Sequence, residues 1–174
     1  MLLDCNPWRY GCSRDGNAIN VFKQWLVPAQ VNPILGSKYP YFNGQTSSCN
    51  SSGATAEDSF PTDFKQSANS SSALLNALKN GPVLTHISAN NAFFKGYQGG
   101  IINNSGCFSS RTLDHTVVAV GFGVDQGASY FIYRNSWGSS WGEAGYVRVT
   151  ATNEGYGICG NQSQNWSLSM QVLQ

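Results

Sequence analysis

Apolar side chains recur at helical spacing near the start of the chain, at Ala18, Ile19, Phe22, Trp25 and Leu26. That pattern predicts an amphipathic helix ending near Leu26, with Asp15 or Asn17 as its N-cap. Pro28 and Pro33 break the chain beyond it. Residues 44 to 72 are rich in Ser, Thr, Asn and Gly, and read as loop. Ser70, Ser71 or Ser72 can then cap a short helix ending at Lys79, stopped by Gly81-Pro82. Beyond that point the apolar runs are short and bounded by turns. Val83 to Ser88, Thr116 to Val120, Tyr130 to Tyr133 and Gly145 to Val149 predict strands, and Asn90 to Tyr97 a turn or short helix. Helix first and antiparallel strands later imply an α+β chain of two lobes, one helical and one barrel-like. The boundary is expected near residue 60, giving a helical remainder over 1–60 and a strand-rich lobe over 61–174.

A length of 174 residues suits one domain or two small lobes sharing a core. The net charge is +1 and charged residues make up 11% of the chain, so neither a basic nucleic-acid surface nor an acidic tail is expected. The longest apolar runs are far too short to span a membrane. Met1 to Cys5 has neither the basic region nor the apolar core of a secretory signal, so a signal was removed or the sequence begins internally. Five cysteines, low charge and much Ser, Asn and Gly point to an extracellular or endosomal setting. Glycan acceptor triplets begin at Asn50, Asn69, Asn103, Asn161 and Asn165. An odd cysteine count leaves at least one thiol free or paired elsewhere. No metal site and no cofactor are expected, because two histidines and scattered cysteines lack ligand spacing.

The chemistry concentrates downstream. His115 heads an apolar strand, and the next strand ends in a loop carrying Asn135 and Trp137. The three can meet at one edge of a sheet. An imidazole held by an amide under an indole is the base half of a nucleophilic site. A lone histidine of this kind is more often a core residue bonded to a carbonyl. Here the spacing to Asn135 and the run Asn135-Ser136-Trp137-Gly138-Ser139-Ser140-Trp141-Gly142 reverse that preference. Asp114 reads as a solvated tuning charge. Trp141, Gly142 and Gly145 read as packing and bending positions.

Leu113 to Gly123 together with Arg134 to Glu143 resembles the histidine and asparagine blocks of the papain-like cysteine peptidases, the family of the cathepsins. Tyr39-Pro40-Tyr41 and Gly81-Pro82-Val83 resemble further family segments, and the likeness covers residues 3 to 167. It implies a papain-like two-lobe fold without the N-terminal segment that holds the central helix. It implies peptide-bond hydrolysis by a thiolate and imidazolium pair, with His115 as general base and acid, Asn135 fixing its tautomer and Trp137 shielding both. It implies disulfides Cys5 to Cys49 and Cys107 to Cys159, with Cys12 unpaired in this chain; reduced buried thiols are the alternative. It puts His86 and Gln164 at the main specificity pocket, where the other reading is an exposed strand histidine and a loop glutamine.

The family's nucleophile lies in a Gln-…-Cys-Gly-x-Cys-Trp segment that these residues do not contain. The family's Gly-Gly after Cys12, which lets backbone bond the substrate as a short strand, is altered here to Ser13-Arg14-Asp15-Gly16, so that contact is not carried over by the resemblance. Two functions are therefore expected to compete. One is the C-terminal portion of a lysosomal, vacuolar or secreted thiol peptidase that acts on peptides or proteins. Its nucleophilic cysteine would come from an upstream segment or second chain, and the short chain alone would be inactive. The other is an inactive peptidase-derived module kept for binding or structure.

Overall fold

The computed structural model describes residues 5, 18–28, 34, 37, 39–40, 49, 59–103, 107, 112–152 and 155–172. Asp15, Asn17, Cys12, Pro33 and the altered glycine pair lie outside them. The chain divides into two compact units, residues 1–64 with 169–174 and residues 65–168. In the first unit Cys5 is bonded to Cys49. Helix α1, Ala18–Val21, continues as a π-turn over Phe22–Leu26. The wider turn is closed by the Val27 N–H donating to the Phe22 carbonyl at 3.0 Å. Leu26 is buried, as the helical spacing requires, and the Phe22 ring stacks on Phe64 at 4.9 Å.

The remaining elements are β1 (Ser59–Gln66), α2 (Ser71–Leu78), β2 (Val83–Ile87), α3 (Ala92–Lys95), β3 (Ile101–Ile102), β4 (His115–Asp125), β5 (Ala128–Arg134), β6 (Tyr146–Thr150) and β7 (Gln164–Val172). Apart from β1 and β7, they track the apolar pattern closely. Ser70 caps α2 by accepting the Ala73 N–H, and Leu74 from that helix is fully buried. The strands form an open sheet in the order β1-β7-β2-β4-β5-β6-β3. Its β2–β4, β2–β7, β4–β5 and β5–β6 pairs are antiparallel, and the short β3 runs parallel to β6. Val83, Thr85 and Ile87 alternate inward from β2 and meet Val117, Ala119, Phe131, Tyr133, Val147 and Val149 in one core.

Two strands depart from the sequence reading. β1 lies inside the polar stretch read as loop, and β7 covers residues assigned no strand. β1, SFPTDFKQ, has no clean apolar alternation, so its place beside β7 decides it. β7, lying against β2, does alternate, with Asn165, Ser167, Ser169 and Gln171 on one face and Trp166, Leu168 and Met170 on the other, a period-two signal that the sequence reading did not use. β4 also runs past Val120 to Asp125, because Gln126 and Gly127 (φ 48° and 83°) make the two-residue turn of a hairpin with β5. Among the described residues no helix is long and apolar enough to cross a membrane. Nor, among them, do three His, Cys, Asp or Glu side chains gather as metal ligands would.

Candidate active site

The hairpin positions the site. β4 and β5 pair with Val118 opposite Arg134, after a bulge between Ala119 and Gly121. Continued past the strand end, that register brings residue 137 level with His115. Without the bulge, the pairing would shift by one and turn the loop side chains to the other face. Next door, β2 sets Ile87 opposite His115.

At this corner the Nε2 atom of His115 lies 2.8 Å from Oδ1 of Asn135. The same oxygen accepts the Ser136 backbone N–H at 2.8 Å. That second bond identifies the oxygen end of the carboxamide, so the ring nitrogen facing it must donate. Nε2 carries the proton, and Nδ1 is left with a lone pair to take another. Asn135 is only 8% exposed, and its own N–H donates to the Gly145 carbonyl at 2.9 Å, which anchors the loop.

Two aromatic rings, Trp137 and Phe94, flank the imidazole, and Trp141 and Tyr97 pack behind them. The Trp137 ring lies 4.9 Å from that of His115, and Phe94, fully buried, packs edge-on against Trp137 at 5.5 Å. Trp141 touches both at 5.1–5.2 Å, and Tyr97 backs Trp141 at 5.5 Å. Trp141 donates its indole N–H to the Lys95 carbonyl, so the packing role read from sequence includes a hydrogen bond.

Several supports went unread in the sequence. Asn91 caps α3 by accepting the Phe94 N–H at 2.9 Å, and its amide nitrogen donates to the carbonyls of Ser88 and Cys107. The local signal was there, since an asparagine one residue before a short helix is a strong cap. Cys107 is bonded to Cys159, both fully buried, and Ser88 N–H donates to the Cys159 carbonyl. Asp114 is not simply a solvated charge. Its carboxylate accepts the N–H groups of Ala89 and Asn90, tying the head of β4 to the chain leaving β2. Further out, Glu143 accepts from Arg148 and from the Gly100 N–H. Arg148, foremost, holds the Glu143 carboxyl below the usual carboxylate range. Gly142 sits in this loop at φ 57°, where an added Cβ would lie 2.6 Å from the Tyr146 carbonyl oxygen.

His86 and Gln164 lie directly opposite each other on β2 and β7, and Thr116 is opposite His86 on the other side. Opposed residues share a face, so the three form one row across β7, β2 and β4. Gln164 opens a strand and does not sit in a loop. His86 is half-buried, its Nε2 has no hydrogen-bond partner, and burial pushes its pKa below 6.5. Thr116 was not singled out from the sequence. Only the pairing register reveals it.

The chain is similar to known proteins over most of its length. The family described as papain family cysteine protease matches residues 1–168. Papaya proteinase 4 of Carica papaya is 36% identical over 161 residues, 91% of this chain and 44% of that protein. The KDEL-tailed cysteine endopeptidase CEP2 of Arabidopsis thaliana is 41% identical over 93 residues, 53% of this chain and 25% of that protein. The structure of the bromelain protease from Ananas comosus in complex with the E64 inhibitor superposes with a TM-score of 0.81 at 30% identity, covering 99% of this chain and 76% of that one. The chain thus spans under half the length of these curated relatives.

Proposed function

Because the chain belongs to the papain family of cysteine proteases, we propose that it forms the base-bearing portion of a thiol peptidase that hydrolyses peptide bonds in peptides or proteins. The observation that carries this is the 2.8 Å bond from His115 Nε2–H to Asn135 under the Trp137 ring, which leaves Nδ1 as the proton acceptor. Nδ1 takes the proton of a cysteine thiol, and the thiolate attacks the peptide carbonyl. The imidazolium then gives its proton to the leaving amine, and water, deprotonated by the same nitrogen, clears the acyl-enzyme. Asn135 keeps the ring in one tautomer and one orientation throughout. Trp137 keeps water from competing for that bond.

The thiol comes from outside these 174 residues. Four of the five cysteines are bonded in pairs, Cys5 with Cys49 and Cys107 with Cys159. Cys12, outside the described residues, pairs with a cysteine of the segment or second chain that supplies the nucleophile. His86, Thr116 and Gln164 line the pocket for the substrate side chain two residues before the scissile bond. Their polar atoms admit a polar or acidic side chain there, which an apolar pocket rejects through uncompensated desolvation. The setting is a lysosome, a vacuole or the secreted space, consistent with the two disulfides.

The test is reconstitution. The 174-residue chain by itself is expected to hydrolyse no peptide substrate and to resist epoxide and vinyl-sulfone labelling. The polypeptide carrying a Cys-Gly-x-Cys-Trp segment upstream is expected to be active and thiol-dependent. It should lose at least about 10²-fold in rate on His115→Ala. Inactivity of that longer form, correctly folded and disulfide-bonded, would favour a binding or structural module instead.

A further inference from the structure

Five acceptor triplets for N-linked glycans occur along the chain, and the fold treats them differently. Asn165 is 1% exposed, and its carboxamide oxygen accepts the Thr85 hydroxyl at 2.8 Å across the β2–β7 pair. Asn161 is fully buried, and its amide nitrogen faces the Thr150 carbonyl at 3.4 Å. A sugar on either nitrogen needs room that a close-packed interior does not have. Asn69 is the opposite case. It is exposed, on the bend between the end of β1 at Gln66 and the start of α2 at Ser71. Its triplet, Asn69-Ser70-Ser71, is described throughout. Asn103 is exposed as well, but Asn104 and Ser105 lie outside the described residues, as does the Asn50 triplet.

We propose that Asn69 is an N-glycan attachment site and that Asn161 and Asn165 are barred from modification in the folded protein. The inference rests on the secretory setting proposed above. In the reaction, the Asn69 amide nitrogen forms a C–N bond to the anomeric carbon of a lipid-linked oligosaccharide diphosphate. The anomeric C–O bond breaks, the lipid diphosphate leaves, and the amide gives up one proton. The product keeps one N–H and protrudes into solvent.

Its position has a physical use. Among the described strands β1 is the first in the sheet order and stands at an edge. Edge strands invite pairing with other chains, and Pro61, Asp63 and Lys65 already discourage it here. A bulky, hydrated glycan three residues beyond Gln66 guards the same edge. It leaves α2 intact, because the helix cap is the Ser70 hydroxyl and not the Asn69 amide. The buried triplets, by contrast, lie on the interior strand β7 and the turn leading into it.

The test gives the full polypeptide a secretory leader in a eukaryotic host and recovers the native fraction by resistance to limited proteolysis. Peptide N-glycosidase in ¹⁸O water then marks each glycan-bearing asparagine for mass spectrometry. The mark is expected at Asn69 and absent from Asn161 and Asn165. An unmarked Asn69, or a mark at Asn161 or Asn165 in native protein, overturns the proposal. Ser71→Ala should erase the mark at Asn69, and a mark that survives overturns attachment through this triplet. Should little native protein form, cell-free synthesis with microsomes reads attachment at Asn69 on the nascent chain, and its absence there is equally decisive. The leader supplies the route and no catalytic residue is altered, so failure leaves the peptidase reading standing.

Discussion

The molecule holds two histidines in opposite circumstances. His115 has an acceptor for one ring nitrogen, a fixed tautomer and aromatic rings on its flank. His86 is half-buried with its Nε2 unpartnered, and burial alone pushes its pKa down. Burial without a partner favours the neutral ring and nothing else. Burial with an acceptor decides where the proton sits, which is what proton transfer requires. That difference is why proton transfer is proposed for His115 and a pocket wall for His86.

The strongest way to break the contrast is to remove the ring packed against the first corner. Phe94 is fully buried, and Phe94→Ala should cost about 3–5 kcal/mol in denaturant unfolding. The His115 ring resonances should move with it while those of His86 stay. A loss under 1 kcal/mol would mean that this aromatic wall does not pack as described. Asn135→Ala makes His115 resemble His86, a ring nitrogen with no acceptor. It should cost about 1–3 kcal/mol and shift the His115 ¹⁵N signals toward a mixture of tautomers. An unchanged tautomer would remove Asn135 from its role.

The second corner can be sharpened in turn. In the longer, active form His86→Ala should move preference toward Leu or Val two residues before the scissile bond, by about 1–2 kcal/mol in relative transition-state binding. Unchanged selectivity in a substrate library would take His86 out of the pocket. The smallest effect is on pH. His86 should titrate below 6.5 in the folded chain. The unfolded chain then binds the proton more readily, so the stability from the neutral ring is complete above 6.5 and lost as pH falls through the folded value. His86→Leu should flatten that slope, and an unaltered slope would assign it to other groups.

Much of this was legible before any coordinates. Local chemistry announced a serine cap among Ser70, Ser71 and Ser72, the stop at Gly81-Pro82, the strand from Val83 and the histidine heading β4, because each depends on neighbours a few residues away. The pairing of His115 with Asn135 was readable for a similar reason, since adjacent strands of one hairpin carry them. Asn91 was within reach as a cap, although what it supports was not.

What the sequence by itself determined is therefore the class of the fold, the family, and the meeting of His115 with Asn135 at one sheet corner. What only the tertiary structure decided is everything fixed by strand register and burial. β1 became a strand through its partner and not through its own alternation. Thr116 joined His86 and Gln164 because β4 and β7 flank β2 in a particular register. Two glycan triplets were closed off, and one left open, by where the chain buried them. A sequence encodes local preference directly, whereas register and burial arise from contacts between distant segments, and a shift of one residue in pairing reverses every face.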